Sequence, residues 1–249
     1  MGANSSQLDG GHHQATENEI EILGEREKQI VIASNKNDSS KPKLPHNYED
    51  IIKEADSSIS EVSPEKILDR LHSGVFLNQK RKKYWVEKNK GLNCFMLYAR
   101  NLSITWAEDK RYWNWPYAVE TASNNDEVMV DVAQLVNVCW LELQGKFNLS
   151  NLSPETTYEV VFVVMLKDPA CGWEVPVNVK LQLPSGETQV HKVDLMRKPR
   201  ADWIEIYVGE FKTFPPNNNG EVHFSMFEFE GGKWKRGLLV KGVIIRPKS

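Results

Sequence analysis

The sequence is poor in cysteine, with only three among its 249 residues. Cys94, Cys139 and Cys171 lie far apart and are odd in number, so they do not indicate a disulfide-stapled scaffold. There is no C-x-x-C pair of the kind that many zinc sites use. We expect reduced thiols in a cytoplasmic protein, and the alternative is that these thiols cross-link chains after oxidation.

Long apolar runs and a large net charge are also absent. No stretch of about 18 apolar residues occurs, so the sequence predicts no membrane-spanning segment. The formal net charge of -3 gives no general attraction to nucleic acid or to an anionic membrane. The N-terminus lacks a secretory signal pattern. Gly2 and Ser6 fit the pattern for N-myristoylation, but one acyl chain holds a membrane only weakly, so we expect no stable membrane insertion.

Catalytic signatures are missing as well. The six histidines include no H-E-x-x-H spacing, and there is no G-x-S-x-G elbow, phosphate-binding glycine loop or G-x-G-x-x-G motif. A carboxylate pair for cleaving glycosidic bonds stays open, because its separation is spatial rather than sequential. We therefore expect no enzyme, no metal and no cofactor, with a glycosidase as the remaining catalytic alternative.

The residues that are present divide the chain into three parts. Residues 1–45 are rich in Asn, Ser, Glu and Lys and predict a disordered N-terminal tail, because so little apolar surface cannot offset the entropy of ordering. Residues 46–83 predict a short helical segment followed by a basic linker. Residues 84–249 have the pattern of β structure and form the largest domain.

Two short helices are expected in the middle part. Asn47 can cap the first, and Ser63 can cap the second, which has Pro64 at its first position and Gly74 after its end. Two such helices cannot form a core alone, so they should pack on a larger domain or on another chain. The basic run Lys80 to Lys83 predicts a solvated linker, with a nuclear-import or polyanion-binding patch as the alternative.

In residues 84–249, segments rich in Val, Ile, Phe and Trp alternate with turn residues at roughly ten-residue spacing. Val177, Val179 and Leu181 share one strand face, and a turn follows at residues 184–187. The segment TTYEVVFVVMLKD is apolar on both faces, which is typical of a central strand. The pattern predicts an all-β fold, an antiparallel β-sandwich of jelly-roll type with about nine or ten short strands, preceded by the disordered tail and two short helices.

The segment SITWAEDKRYWNW, residues 103–115, places three of the eight tryptophans beside four charged residues. An indole offers a flat surface on which the C–H face of a sugar can lie, while charged groups and amides bind the hydroxyls. The segment therefore indicates an exposed sugar site, in which a loop brings Trp106 and Trp113 together. The alternative is core packing, and we expect at least one of the three indoles to be buried. Trp140 and Trp203 are predicted to be core residues.

Five blocks of the β region stand in a fixed order: ARNLSITWAEDKRYWNW, VAQLVNVCWLELQGKF, LSPETTYEVVFVVML, DWIEIYVGEF and GEVHFSMFEFEGGKWKRGLLVKGVIIRP. In this order they resemble the phloem protein two (Nictaba-like) lectins over about residues 84–247. The segment upstream, IIKEADSSISEVSPEKILDRLHSGVFLNQKRKKYW, is similar to the longer sieve-element members of that family. The resemblance implies a jelly-roll β-sandwich that binds carbohydrate without metal and without catalysis.

The resemblance also implies a set of binding residues. Trp106 and Trp113 match the family's two key tryptophans and would stack on N-acetylglucosamine rings. Glu221 and Glu228 match its two glutamates and would accept hydrogen bonds from hydroxyl and acetamido groups. Because these glutamates are an odd number of residues apart, they cannot share one face of a regular strand. We expect Glu221 in the loop that precedes a strand and Glu228 on that strand.

The family implies partners and a location. The expected ligands are N-acetylglucosamine oligomers of the chitin type, N-glycan cores and glycoproteins, bound by a homodimer in the cytoplasm of phloem sieve elements or companion cells. The segment DLMRKPRADW has only Arg197, Lys198 and Arg200 where some members have a lysine run, which puts nuclear entry in doubt. The alternative function is a structural phloem protein that cross-links filament proteins in sieve elements and associates with RNA.

Overall fold

The computed structural model describes residues 1–2, 43–59, 63–121, 127–214 and 219–249. The tail predicted for residues 1–45 therefore lies almost entirely outside the described residues. Leu44–Ser249 form one compact unit. The described ranges contain fifteen strands and two α-helices. The turn spacing predicts about nine or ten strands, and the structure has more because several of its strands have only two or three residues.

The elements follow one another along the chain as α1 (Tyr48–Ile52), α2 (Pro64–Ser73), β1 (Val75–Leu77), β2 (Lys82–Val86), β3 (Asn93–Tyr98), β4 (Ser103–Ile104), β5 (Trp113–Asn114), β6 (Tyr117–Thr121), β7 (Glu127–Asp131), β8 (Ala133–Leu135), β9 (Leu141–Asn148), β10 (Thr157–Cys171), β11 (Val177–Gln182), β12 (Thr188–Val193), β13 (Ile204–Lys212), β14 (Glu221–Glu228) and β15 (Arg236–Pro247). All the pairings between these strands are antiparallel.

The larger sheet has eight strands and is built around β10. Across it the strands run β1-β2-β3-β15-β10-β13, and β8 with β5 continues beside β15. Residues Val160 to Val164 of β10 are buried on both sides of the strand. This confirms the prediction of a central strand, since only a strand covered on both faces buries consecutive apolar residues.

The smaller sheet has five strands in the order β12-β11-β14-β9-β4. Val177, Val179 and Leu181 of β11 are fully buried and point toward the larger sheet, whereas Asn178 and Lys180 point outward. β11 and β12 form a hairpin around the predicted turn. The strict alternation leaves this sheet with one apolar face and one polar face.

The core lies between the two sheets. Phe162 of the larger sheet contacts Phe224 of the smaller one edge-on, with 6.2 Å between ring centroids. Leu143 and Met226 are fully buried in the same cluster. Each such side chain contributes roughly 1.5–3 kcal/mol by leaving water. The all-β antiparallel sandwich predicted from the sequence is therefore confirmed.

A hairpin of β6 and β7 packs outside the larger sheet. Its inward residues, among them Val130, join Met96, Tyr98 and Val163 in a second and smaller apolar cluster. Trp203, predicted as a core residue, packs against this outer cluster and is half-buried. The larger sheet is thus covered on both faces, whereas the smaller sheet is covered only on one.

The two helices begin and end near the predicted residues. α1 follows Asn47, whose side chain donates to Asn151 Oδ1 at 3.1 Å and makes no capping bond. Ser63 precedes α2 and likewise makes no side-chain capping bond to it, and Pro64 begins the helix. Gly74, with φ 95°, follows its end. Ile51 and Leu71 are buried in the main core, so both helices pack on the sandwich as expected.

The sandwich begins earlier in the chain than the sequence predicted. β1 lies within residues 46–83, where a helical segment and a basic linker were expected, and β2 begins there at Lys82. Tyr84 and Val86 of β2 are buried in the core. The strand that this alternation forms begins at Lys82, so it includes Lys82 and Lys83. Lys82 and Lys83 are therefore part of the larger sheet, whereas Lys80 and Arg81 lie in the exposed turn before it, as a solvated segment would.

No helix in the described ranges is both long enough and apolar enough to cross a membrane.

Candidate functional site

Trp106 lies in the turns between β4 and β5, with 46% of its surface exposed. Its backbone is left-handed, with φ 61°, a conformation that bulky residues rarely adopt. Such strain persists only where the surroundings hold the backbone, and it is common at binding sites. The ring of Tyr112 lies 5.0 Å away, centroid to centroid. One indole is thus presented to solvent by a constrained loop.

Two neighbouring indoles hold the backbone on either side of Trp106. Trp113 Nε1 donates to the carbonyl of Thr105 at 3.0 Å, and Trp115 Nε1 donates to the carbonyl of Ala107 at 2.9 Å. Trp113 is only 1% exposed, because β5 directs it into the core. The expectation that at least one indole of this segment is buried is confirmed. The stacking role predicted for Trp113 needs correction, because its ring has no open face, and its position supports Trp106 instead.

Three of the four charged residues of the same loop, Glu108, Asp109 and Arg111, are paired with other groups of the protein. The Arg111 guanidinium and backbone N–H donate to the Asp109 carboxylate, at 2.7 and 2.9 Å, and hold the pKa of that carboxyl below its usual range. The Arg100 guanidinium stacks on Trp115, with its Cζ 3.5 Å from the ring centroid, and its Nη1 pairs with Glu108 Oε1 at 3.1 Å. These charges fasten the loop, whereas the sequence predicted that they would bind sugar hydroxyls.

Glu142 provides a fixed carboxylate beside the loop that carries Trp106. Its Oε2 accepts from Trp140 Nε1 and from Thr105 Oγ1, each at 3.1 Å, and its Oε1 accepts from Gln144 Nε2 at 2.8 Å. These donors, with Trp140 the strongest, hold the pKa of Glu142 below its ordinary value. The carboxylate is therefore ionised at neutral pH and held between Trp140 and the loop of Trp106.

An aromatic row begins at Trp140. Its ring stacks on Phe229, with 4.2 Å between centroids and 13° between planes, and Phe229 stacks on Phe227 at 5.5 Å. Trp140 is 42% exposed, so its prediction as a core residue was wrong. The reason is its place in the chain, because it lies in the loop that ends where β9 begins at Leu141.

Trp140 and Glu142 were missed by the sequence reasoning. In the segment CWLEL they stand two residues apart, so in an extended chain they share one face, opposite Leu141 and Leu143. That parity can be seen in the sequence. The contact of Glu142 with Thr105 cannot be seen in the sequence, because it depends on the register between β4 and β9.

A groove of about 330 Å³ lies on the outer face of the smaller sheet. Polar side chains line it: Gln144, Lys180, Gln182, His223 and Ser225. Because side chains alternate along each strand, these residues point away from the core. Gln144 also donates to Glu142, so the groove continues directly from the carboxylate and its aromatic neighbours.

Glu228 lies on the inner face of the same sheet, with only 2% of its surface exposed. It forms an ion pair with Lys235, which is fully buried, and accepts from the N–H of Gly231 at 2.7 Å. Lys235 Nζ donates to the carbonyls of Cys139 and Lys233, at 3.0 Å each. The predicted contact of Glu228 with a sugar needs correction, because inward parity places it beyond the reach of a ligand. It ties down the loop between β14 and β15.

Glu221 is the first residue of β14 rather than part of the loop before it. It points outward and pairs with Lys146 at 3.0 Å. Seven residues separate it from Glu228, which spans about 23 Å along a strand. β14 pairs Glu228 with Leu141, near Trp106, and pairs Glu221 with Asn148 at the opposite end of β9. The structure therefore does not bring Glu221 together with the tryptophans.

The arrangement has the chemistry of a binding surface. Exposed aromatic faces provide apolar contact, and the fixed carboxylate and the amides of the groove provide directional hydrogen bonds. Across the described residues there is no group of three or more His, Cys, Asp or Glu side chains placed to hold a metal ion. The fold and site define an antiparallel β-sandwich protein with an aromatic-rimmed polar groove on one sheet.

A family model described as Phloem protein 2 matches residues 92–247. The chain belongs to the phloem protein 2 family, which confirms the resemblance found in the sequence. Protein PHLOEM PROTEIN 2-LIKE A1 of Arabidopsis thaliana is 48% identical over 214 residues, which cover 85% of this chain and 84% of that protein. A lectin of Luffa acutangula is 45% identical over 208 residues, which cover 83% of this chain and 96% of that protein.

A more distant likeness is found among solved structures. TmCBM61, solved in complex with beta-1,4-galactotriose, is 15% identical and superposes with a TM-score of 0.32. The match covers 59% of this chain and 87% of that one. A likeness of this size has no bearing on function.

Proposed function

We propose that this protein is a phloem lectin that binds oligomers of N-acetylglucosamine, of the chitin type and in N-glycan cores, and leaves them chemically unchanged. Membership of the phloem protein 2 family supports a carbohydrate ligand. The observation that carries the proposed site is the Glu142 carboxylate, which is fixed by Trp140, Gln144 and Thr105, the residue before the exposed Trp106.

In this proposal the sugar ring lies on Trp106. The indole contributes apolar contact at low entropic cost, since its loop is already constrained. Glu142 accepts a hydrogen bond from a hydroxyl or from the acetamido N–H. An ionised carboxylate has about four acceptor positions, and the bonds from Trp140, Thr105 and Gln144 occupy three of them. One position is left for the ligand.

Further sugar units extend along the groove. Gln144 and Gln182 offer amide donors and acceptors, and Ser225 offers a hydroxyl at the base of the groove. Affinity should therefore rise with the length of the oligomer. Of the residues implied by family resemblance, Trp106 contacts the sugar and Glu221 flanks the far end of the groove. Trp113 and Glu228 hold the surrounding loops, as their burial requires.

Calorimetric titration with chitotetraose tests the site. We expect a dissociation constant in the micromolar to millimolar range, roughly -8 to -4 kcal/mol. Trp106→Ala removes the stacking face and Trp140→Ala removes a donor that fixes Glu142. Each should weaken binding at least about tenfold, which corresponds to roughly 1.4 kcal/mol or more. Tyr117→Ala is the matched control, because Tyr117 is an exposed aromatic residue on the hairpin over the other sheet.

The outcomes of this titration are distinct. Wild-type affinity in both tryptophan variants would contradict the site, and an equal loss in Tyr117→Ala would show a non-specific effect of exposed aromatics. Chromatography of chitotetraose after incubation with the protein covers the catalytic alternative. We expect the oligomer to be recovered intact, and shorter products would contradict a purely binding role.

A second function, cross-linking of chains, is favoured by the position of one thiol. All three cysteines are free, and Cys171 is exposed, whereas Cys94 is buried and its pKa is raised to about 12 by that burial. We expect air oxidation to give a disulfide-linked dimer on a non-reducing gel. Cys171→Ser should abolish this dimer and Cys94→Ser should leave it, while a dimer that survives in Cys171→Ser would contradict the assignment. A dimer would also raise effective glycan affinity through avidity.

A further inference from the structure

The outer face of the larger sheet carries a cavity of about 290 Å³ that the proposed lectin site does not use. Its walls are largely apolar and include Trp85, Met96, Val163 and Ile244. These residues belong to β2, β3, β10 and β15, and β6 of the covering hairpin borders the cavity. The volume is near the lower end of the range for small-molecule pockets, about 300–1,000 Å³.

Lys83 is a half-buried cation at the edge of this cavity. Its Nζ donates to the carbonyl of Thr121 at 2.9 Å and lies 5.5 Å from the ring of Phe76. Within the described ranges no carboxylate is paired with it, and burial lowers the pKa of its ammonium group. An ammonium group has three donors. Lys83 is therefore a partly desolvated cation with room for an anionic partner.

The other charges around the cavity leave this cation in excess. Lys241 pairs with Glu120 at 2.8 Å and lies over the ring of Trp203, 4.6 Å from its centroid. His72 Nδ1 lies 3.1 Å from the carbonyl of Val86. The two lysines and one glutamate that line the cavity sum to one positive charge. A ligand with a single negative charge would neutralise the site.

Tyr98 supplies a second unused polar group. It is 1% exposed and lines the cavity, and its hydroxyl has no hydrogen-bond partner among the described residues. Tyr98 also borders a neighbouring cavity on the side of Arg81 and Arg100. A buried hydroxyl without a partner is costly to a fold, so such groups call for an explanation. A ligand that accepts a hydrogen bond would provide it.

We propose that this cavity binds a small monoanionic ligand with a flat apolar body, of the aromatic carboxylate class. The apolar body packs against Trp85, Met96 and Ile244, and the carboxylate pairs with Lys83. The Tyr98 hydroxyl donates to the same carboxylate. The site lies on the opposite sheet from the proposed sugar groove, so the two ligands bind independently.

Calorimetry with 2-naphthoate on the full chain tests the proposal, with neutral 2-naphthalenemethanol as the comparison. We expect saturable binding of 2-naphthoate that Lys83→Met weakens at least about tenfold, because it removes the charge and keeps an apolar chain of similar length. Lys82→Met, a neighbouring charge on the same strand, should bind as the wild type does. Absence of saturable binding, or equal binding by Lys83→Met and wild type, would overturn the proposal.

Tyr98→Phe gives an independent readout. It removes only the hydroxyl, so the melting temperature of the ligand-free protein should stay the same or rise, and the rise in melting temperature caused by 2-naphthoate should shrink. A lower melting temperature without ligand, with an unchanged response to 2-naphthoate, would show that the hydroxyl serves the fold and would contradict its role. Chitotetraose titrations of the same variants should match the wild type.

Discussion

The outer and inner faces of the smaller sheet use the same residue types for different purposes. Glu221 and Glu228 are the two ends of β14, and an odd separation puts them on opposite faces. The outward one pairs with Lys146 at the surface, and the inward one pairs with buried Lys235. Strand parity, more than residue type, thus decides whether a carboxylate meets solvent or fastens a loop.

Trp106, in the loop before β5, and Trp113, the first residue of β5, divide in the same way. Trp106 presents its indole to solvent, and Trp113 points inward and bonds to the carbonyl of Thr105. The exposed ring depends on the buried one, because the Trp113 N–H bonds to the carbonyl of Thr105 and so holds the left-handed backbone at Trp106 from its N-terminal side. The proposed binding residue Trp106 therefore depends on an anchoring residue that faces the core.

The largest effect is expected from breaking the buried ion pair. Lys235→Met leaves the Glu228 carboxylate buried without its cation and should lower the free energy of unfolding by about 3–5 kcal/mol. The matched change on the outer face, Lys146→Met, should cost only about 0–1 kcal/mol, because its pair with Glu221 is solvent-exposed. Urea denaturation measures both values. Equal losses would contradict the difference between the faces.

A smaller loss of stability, coupled to weaker binding, is expected from Trp113→Phe. This change keeps an aromatic ring in the core but leaves the carbonyl of Thr105 without its donor, which should cost about 1–3 kcal/mol. Chitotetraose affinity should also fall, since the loop that presents Trp106 is loosened. Denaturation and calorimetry on the same sample test this, and an unchanged affinity in a destabilised protein would argue against the anchoring role.

The pH dependence of binding should reflect Glu142. Its pKa lies below the ordinary value of about 4.3, so the bonds to its ionised form are complete above that value and are lost as the pH falls through the lower folded pKa. Chitotetraose affinity should therefore persist at about pH 5 and decline only below the ordinary glutamate value of about 4.3. Glu142→Gln should bind more weakly and lack this decline. A wild-type decline centred at or above the ordinary glutamate pKa would contradict the fixed, ionised carboxylate.

The smallest effect is expected at the far end of the groove. Glu221→Gln removes a surface charge remote from Trp106, so the affinity for short oligomers should not depend on it. We expect the affinity of this variant for chitobiose to match that of the wild type. Its affinity for longer oligomers should fall by at most about threefold. A large loss with chitobiose, measured by calorimetry, would place the first sugar near Glu221 and would reverse the orientation proposed here.

Sequence patterns predicted the sandwich well because the continuous apolar run of β10 and the alternation along β11 report burial directly. They also predicted the start of α2 at Pro64 and its approximate end at Gly74, because local chemistry decides both positions. They failed for Trp140 and for the basic run at Lys82 and Lys83, because exposure there depends on where a strand begins and on which strand it pairs with. Family resemblance pointed to Trp106 but could not show that Trp113 and Glu228 face the core.

The most direct test follows the indole N–H signals by NMR during titration with chitotetraose, assigned by single Trp→Phe substitutions. The signals of Trp106 and Trp140 should shift strongly and saturate together, because one ring stacks on the sugar and the other donates to Glu142. The signal of buried Trp173 should not move, since its N–H is bonded to the carbonyl of Arg236 in the core. Unmoved Trp106 and Trp140 signals at saturating sugar would contradict the proposed site.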